Sequence, residues 1–389
     1  MKFYLFHFMP YLHADLNFRA RGQSTLWMLH RHDFDAHKCA ALYERYLGEL
    51  ELADQVGFDG VCVNEHHQTP HCLMPAPNVI AGALTQRVRR GRILVLGRAL
   101  PLGNPLSIAE EWAMLDNLSG GRLICGMVRG IGIEYHAAGI NPAESKGRFF
   151  EAHDLIVRAW TEPETFEFQG KYYNHRYVNI FPRPFQRPHP PVWMPSAGNA
   201  EVIAWAAQPQ RKYPLLQFFN APYEGVKRTL LSYRKAALDA NYEADPDQLG
   251  WAVPTYVAAS DEQARREAKP HMEALFNDFM AFSKEMLLPP GYLPLPAAIA
   301  AHTAAPVGGR GGGKVTIEEL IEKGIVHVGS YATVRGLVER ARTEIGLGHL
   351  LPLLHFGTLP AEQTRQNIMG YAAEIIAPLK RKYSGEAAA

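Results

Sequence analysis

Strand-like apolar runs alternate with helical stretches along most of the chain, and this alternation constrains the fold more than any other feature. The clearest unit is Leu100–Gly130, which predicts a strand end, a helix, a glycine turn and a second strand leading to Arg129. Such units at roughly 30-residue spacing are typical of right-handed βαβ connections on a parallel sheet. The strand-like runs number eight, so the sequence predicts an α/β fold, a closed (β/α)8 TIM barrel.

Insertions are expected after strand 1, strand 4 and strand 7. Residues 10–37 form a long polar and aromatic connection, Thr165–Val178 predicts a hairpin rich in Phe and Tyr, and residues 286–315 are dense in Pro, Ala and Gly. Long connections in compact domains are usually functional or disordered. We therefore expect residues 1–389 to form a single domain, with lid-like insertions near 10–37 and 286–315.

Composition narrows the class of partner. The chain has 389 residues, 47% of them hydrophobic and 20% charged, with a formal net charge of +1. This balance gives no electrostatic case for nucleic acid or an anionic membrane as the main partner. The four cysteines form no CxxC pair, and no run approaches the length of a membrane span. A reducing cytoplasm fits this pattern best.

In a (β/α)8 barrel the active site lies at the C-terminal ends of the strands, so the strand pattern yields candidate residues. They are Phe8 and Met9, Glu65–His67, Gly97–Ala99, Val128–Gly130, Ser196–Asn199 and His355. The turn at Asp116–Arg122 falls on the opposite face, where turn and capping residues have a structural role.

Two neighbouring histidines, His66 and His67, follow the second strand. Adjacent side chains on an extended chain point to opposite sides, so we expect one histidine in the pocket and the other packed behind it, without a metal ion. A neutral histidine is suited to hydrogen-bonding a polar intermediate or moving a proton.

Arg129 needs an anionic or acceptor partner at a buried strand end, and Gly130 after it leaves room for a flat ligand. The structural alternative is a salt bridge from Arg129 to a carboxylate such as Glu134. The strand-to-helix turn Ser196–Asn199 offers free N–H groups of the kind that bind phosphate.

In ordered combination, these motifs and several others resemble the bacterial-luciferase-like, flavin-dependent monooxygenases. The resemblance covers most of the chain and is carried by Gly57–Asp59, Glu65–His67, Leu100–Pro101, Asn104–Pro105, Ile108–Glu111, Leu115–Arg122, Gly126–Gly130, Arg148–Glu151 with Trp160, Pro182–Pro184, Pro188–Trp193 and Phe356–Pro360.

The resemblance implies a TIM barrel that binds reduced FMN (FMNH2), supplied by a separate NAD(P)H:flavin reductase, and activates O2 as a flavin C4a-hydroperoxide. It implies His66 as the catalytic residue. It places Arg129, Val128, Leu96, Gly97, Ser196, Gly198 and Asn199 at the cofactor, with a frequent non-proline cis peptide near Leu96–Gly97. Luciferase itself has a reactive cysteine at the position of Val128, which argues against light emission.

We expect the substrate pocket to include Phe8, His67 and Tyr135 and to receive a small, largely apolar organic compound. A homodimer is the family's usual state. Two alternatives remain open: a deazaflavin-dependent dehydrogenase or reductase on the same scaffold, and a non-catalytic flavin-binding protein.

Overall fold

Parallel strand pairing organises the computed structural model, which describes residues 1–17, 34–196, 198–219, 221–303 and 314–384. The strands are β1 (Lys2–Phe6), β2 (Gly60–Val63), β3 (Arg92–Ala99), β4 (Leu123–Val128), β5 (Phe166–Gln169), β6 (Asn174–Val178), β7 (Val192–Ser196), β8 (Leu215–Gln217), β9 (Leu249–Ala258), β10 (His327–Ser330) and β11 (His349–Leu353). Within this described part of the chain, eight strands pair in the order β9-β11-β1-β2-β3-β4-β7-β8, and β8 pairs back onto β9. The ring is closed and parallel, so the predicted (β/α)8 barrel is confirmed.

Helices follow the strands and cover the outside of the barrel. They are α1 (Ala36–Gln55), α2 (Pro77–Arg87), α3 (Pro105–Leu118), α4 (Gly132–Ala138), α5 (Ser145–Thr161), α6 (Ala200–Ala206), α7 (Tyr223–Asp239), α8 (Asp261–Ala274), α9 (Lys284–Leu287), α10 (Leu295–Thr303), α11 (Ile317–Glu322), α12 (Tyr331–Ile345), α13 (Ala361–Tyr371) and α14 (Ala377–Ser384). Short 3-10 helices lie at Leu100–Leu102, Pro142–Glu144 and Pro246–Gln248, and π-helical turns at Leu275–Phe279 and Ala372–Ile376.

Alternation along each strand divides the core into two layers. Phe3 and Leu5 of β1 point outward into the layer between barrel and helices, whereas Tyr4 and Phe6 point into the barrel interior. Opposite orientation of successive side chains is the ordinary consequence of strand geometry. The interior layer continues into α8 and the π-helical turn that follows it, so the insertion after β9 packs on the open end of the barrel.

The insertions follow the expected places. The hairpin predicted after the fourth barrel strand is present as β5 and β6, which pair antiparallel. The insertion after β9 contains α8 to α12 and a further strand, β10, which pairs with the C-terminal half of β9 and was not predicted. Residues 18–33 and 304–313, which belong to the two expected lids, lie outside the described residues.

The glycine turn before β4 is held by polar contacts on the N-terminal face of the barrel. The Asp116 carboxylate accepts hydrogen bonds from the backbone N–H of Gln186 at 2.8 Å and from its side-chain amide at 2.7 Å. The Arg122 guanidinium donates to the carbonyl oxygens of Ser119 and Gly91. These contacts join neighbouring loops and lie away from the strand ends that form the candidate site.

Helices long and apolar enough to cross a bilayer are absent from the residues that the structure describes.

Candidate functional site

A cavity of about 270 Å³ opens at the C-terminal ends of the barrel strands. Its walls come from the ends of β1, β2, β3, β4 and β7, from the loop after β8, and from the insertion after β9. This is the face on which the strand-end argument placed the site.

Most of the predicted site residues meet at this cavity. Those that line it are Phe8, Glu65, His66, Leu96, Gly97, Val128, Arg129, Gly130, Ser196 and Asn199. The Leu96–Gly97 peptide bond is cis. Gly198, with a φ of +95°, lies in the turn beside Ser196, and its N–H donates to the Ser196 hydroxyl oxygen at 3.2 Å.

His67 and Tyr135 are not brought into the cavity. His67 turns back and binds Glu65, with 2.7 Å between His67 Nε2 and Glu65 Oε1. Tyr135 is buried, and its hydroxyl donates to the carbonyl oxygen of Arg129. Both residues therefore support cavity residues from behind, in contrast to the substrate contact expected of them.

His66 is paired with a carboxylate. Its Nδ1 lies 2.8 Å from Oε1 of Glu134, whose side chain is only 1% exposed, whereas that of His66 is 18% exposed. The His66 ring also lies 4.5 Å from the ring of His71 and 6.1 Å from that of Phe8, measured between centroids. The pair can hold a proton at the imidazole and balance its charge.

A second buried carboxylate, Glu65, braces the ends of β2 and β3. It accepts hydrogen bonds from the Arg98 guanidinium and, at 2.9 Å, from the backbone N–H of Ala99. Burial acts to raise the pKa of Glu65, but hydrogen bonds from His67 and Arg98 prevail and lower it. The hydrogen bond to Glu65 in turn raises the pKa of His67. Arg98 thus has a structural partner beside the Leu96–Gly97 peptide.

Arg129 lies under an aromatic ring from the insertion after β9. Its guanidinium carbon is 4.0 Å from the centroid of the Tyr292 ring, and the Tyr292 hydroxyl donates to the carbonyl oxygen of Gly130 at 2.5 Å. Glu134, named above as the alternative salt-bridge partner of Arg129, is bonded to His66 instead. No ion pair involves Arg129 within the ranges that the structure describes.

Gly130 makes room for Glu134. It has a φ of +81°, and a Cβ added there would lie 2.7 Å from Glu134 Oε2. The space that a ligand was expected to use next to Arg129 is therefore taken up, at this residue, by the carboxylate that binds His66.

Two basic side chains, Arg129 and Lys146, line the cavity. Lys146, which strand-end reasoning did not find because it lies on α5, contributes an ammonium group that pairs with Glu201 at 2.6 Å. Both side chains are more than half exposed, so this ion pair is weak. The Asn199 side chain accepts from the N–H groups of Glu201 and Val202 and so caps α6.

Several aromatic side chains also line the cavity. Phe8 contacts Phe219 with 5.9 Å between centroids, and Phe282 from the insertion contacts His71 at 5.2 Å. Phe218 and Met280 line the cavity as well. Together these residues offer apolar and aromatic surface with two imidazole rings, which suits an uncharged organic molecule.

Groups of three or more His, Cys, Asp or Glu side chains able to hold a metal ion do not occur among the described residues.

Comparison with known proteins defines the class and then the family. The barrel matches the FMN-bound oxygenating constituent of 3,6-diketocamphane monooxygenase from Pseudomonas putida, with a TM-score of 0.71 and 18% identity over 96% of this chain and 98% of that one. It also matches an F420-dependent secondary alcohol dehydrogenase, with a TM-score of 0.63 and 17% identity over 86% of this chain and 94% of that one. At these identities the matches establish the fold.

The luciferase-like monooxygenase family model matches residues 25–348, so the chain belongs to this family. It is 30% identical to the uncharacterised protein y4wF of Sinorhizobium fredii over 88% of this chain and 94% of the relative. It is 26% identical to the oxygenase component of the flavin-dependent trigonelline monooxygenase of Acinetobacter baylyi, over 62% and 67% of the two chains. The predicted family and the predicted enzyme class, a monooxygenase, are confirmed.

Proposed function

We propose that the chain is the oxygenase component of a two-component monooxygenase that binds reduced FMN and uses O2 to oxygenate a small, largely apolar organic compound. The observation that carries this proposal is a single cavity lined by two basic side chains, by a histidine paired with a buried carboxylate, and by several aromatic rings. Family membership supports it, as do the relative described as an oxygenase component and the neighbour with bound FMN.

The donor set fits FMN. A phosphate dianion requires cations and hydrogen-bond donors, and Arg129, Lys146 and Ser196 all line the cavity. The flat apolar ring system of a flavin suits the surface offered by Leu96, Gly97 and Val128. When bound, reduced FMN would supply the two electrons that O2 needs for reaction with an organic substrate.

The protein's own residues would then bind, orient and protect the reacting molecules. His66 would hold or move a proton at Nε2, and Phe8 with the other aromatic side chains would contact the substrate and exclude water. His67 and Tyr135 would act from behind the cavity, as supports of Glu65 and of the Arg129 backbone.

The two insertions remain our proposed lids. The insertion after β9 already reaches over the cavity through Met280, Phe282 and Tyr292. The described ends of the 10–37 connection are tied together, because the backbone N–H of Asp35 donates to the Tyr11 hydroxyl at 2.8 Å. A lid would keep water from the reacting flavin.

The experiment is an anaerobic titration with reduced FMN. Arg129→Ala should raise the Kd by about tenfold or more, since one charge-assisted hydrogen bond contributes about 1.5–3 kcal/mol. The control Arg176→Ala, an exposed arginine on β6, should leave the Kd unchanged. His66→Ala should bind FMN normally and lose turnover. Normal binding and turnover in both cavity variants would contradict the site assignment.

A second candidate is a deazaflavin-dependent dehydrogenase or reductase, favoured by the structural match to the F420-dependent alcohol dehydrogenase. An oxygen pulse applied to the chain with reduced FMN separates the two candidates. Rapid oxygen consumption with oxygenated product supports the monooxygenase, whereas tight deazaflavin binding with hydride transfer and no oxygen consumption supports the dehydrogenase. Flavin binding without product from any acceptor would indicate a non-catalytic flavin-binding protein.

The proposal includes a separate NAD(P)H:flavin reductase, a homodimeric state and action in the cytoplasm. Light scattering on the purified chain tests the dimer. Product formation that depends on added reductase and NAD(P)H tests the two-component arrangement. Mass spectrometry of small molecules that co-purify with the chain would identify the substrate class most directly.

A further inference from the structure

Glu134 is a buried carboxylate at the cavity that sequence reasoning assigned only as a possible partner of Arg129. It binds His66 Nδ1 through Oε1 at 2.8 Å and the backbone N–H of Ile131 through Oε2 at 2.8 Å. We propose that Glu134 is a positioning residue that keeps the His66 proton on Nδ1 and leaves the lone pair of Nε2 facing the cavity. Its importance for turnover rests on the proposed function.

The carboxylate has one orientation available to it. A backbone N–H can only donate, so the Ile131 N–H requires an acceptor oxygen at the Oε2 position. The absent Cβ of Gly130 leaves space for that oxygen, and the Glu134 side chain is almost fully buried. The second oxygen is therefore held toward the imidazole, where an ionised carboxylate accepts a hydrogen bond from Nδ1–H.

Nε2 is the ring nitrogen of His66 that faces the cavity. It has no hydrogen-bond partner within the described ranges, and the partly exposed ring opens onto the cavity. With the proton on Nδ1, Nε2 is an acceptor for an O–H or N–H of a molecule in the cavity. If Nε2 takes up that proton, the resulting imidazolium lies next to Glu134, which balances its charge.

The neutral variant Glu134→Gln gives a sharp test, because the proposal predicts that the His66 proton moves from Nδ1 to Nε2 in this variant. The Ile131 N–H keeps the amide oxygen at the former Oε2 position, so the amide NH2 faces His66 Nδ1 as a donor. Nδ1 must then accept, and the proton moves to Nε2. The same near-isosteric change thus converts the cavity-facing nitrogen from an acceptor into a donor.

The proton position is read from two-bond ¹⁵N–¹H correlation spectra of the ¹⁵N-labelled chain without flavin, with the signals of His66 assigned by their loss in His66→Gln. We expect Nδ1–H in the wild type and Nε2–H in Glu134→Gln. The matched control is Asp154→Asn, which alters a carboxylate 2.8 Å from Nδ1 of His153, outside the cavity, and should leave the His66 signals unchanged.

Wild-type His66 with its proton on Nε2, or no change in Glu134→Gln, would overturn the proposal. If Glu134→Gln does not fold, the proton position in the wild type decides alone.

A kinetic readout separates positioning from general structural damage. The rate at which O2 reoxidises bound reduced FMN should change by about tenfold or more in Glu134→Gln, in the same direction as in His66→Gln. The double variant should match His66→Gln alone, since Glu134 acts through that ring. An equal further change in the double variant would overturn the proposal. Failure of the wild type to bind reduced FMN would refute the proposed function, and the proton assignment would still be decided by the spectra.

Discussion

Glu49 gives a stability prediction whose size follows from its surroundings. This α1 carboxylate is 6% exposed, accepts from the Arg45 guanidinium at 2.7 Å, and lies 2.9 Å from Nε2 of the fully buried His7. Nδ1 of His7 accepts from the Met9 N–H, so Nε2 carries the proton that faces Glu49. Burial acts to raise the pKa of Glu49, but its hydrogen bond with His7 and the positive charge of Arg45 help to outweigh burial, and the pKa falls to about 2 from the ordinary 4.5.

The direction of the pH dependence follows from the difference between the folded-state and unfolded-state pKa of Glu49. A depressed folded-state pKa contributes stability that is fully present above the unfolded pKa of 4.5 and is lost as the pH falls toward about 2. The contribution at neutral pH is about 3 kcal/mol, and it falls to less than about half of that near pH 3. In Glu49→Gln one of the two donors must also face an amide NH2, which adds to the loss.

Urea unfolding of the wild type and Glu49→Gln from neutral pH to about pH 3 checks this magnitude. We expect a difference of at least about 3 kcal/mol at neutral pH that narrows below about pH 4.5. The control Glu44→Gln changes a residue on the same helix as Glu49 and removes an exposed ion pair with Arg87 of α2. It should cost less than about 1 kcal/mol at every pH. A Glu49→Gln loss below about 1 kcal/mol, or one independent of pH, would refute the reasoning.

Three further predictions concern the backbone, a buried amide and the cysteines. Gly130→Ala should cost about 1–3 kcal/mol in thermal or urea unfolding and displace Glu134, because the residue has a φ of +81° and the new Cβ would lie 2.7 Å from Oε2; unchanged stability would contradict this. Asn367→Ala should cost about 2–4 kcal/mol, because the buried amide bonds two carbonyl groups and one N–H; a loss below about 1 kcal/mol would count against it. Burial raises the pKa of Cys62 and Cys125 well above the ordinary value, so a thiol reagent should label neither until the chain is denatured, and prompt labelling at neutral pH would contradict their burial.

The barrel was predictable because its strands are buried on both faces. Such strands are near-continuous apolar runs, and β9, buried at all ten positions, is the clearest case. The shorter elements gave weaker signals. β10 has only four residues, among them a His, a Gly and a Ser, and α4 begins directly after a glycine-rich loop. Both elements are too short for the sequence to show a periodic apolar pattern.

The cavity residues were predictable where a strand end delivers them, as for His66 and Arg129. Their partners were not, because pairing depends on side chains far apart in the sequence. Glu134 is 68 residues from His66, and Tyr292 is 162 residues from Gly130. The sequence alone allows the Glu134 carboxylate to pair with either Arg129 or His66. The structure decides between them: Gly130 leaves space for Glu134 Oε2, the Ile131 N–H binds that oxygen, and Oε1 meets the imidazole.

The stacking of Tyr292 on Arg129 couples the order of the insertion after β9 to the affinity of the Arg129 guanidinium for an anion. The same ring covers the guanidinium, and its hydroxyl binds the Gly130 carbonyl, so the insertion and the loop after β4 share their contacts. An anion that binds Arg129 without disturbing the stack binds more tightly when the insertion is ordered. An anion that pulls the guanidinium away from the Tyr292 ring loses this advantage. Because such coupling is reciprocal, a substitution in the insertion can alter anion binding without touching the anion.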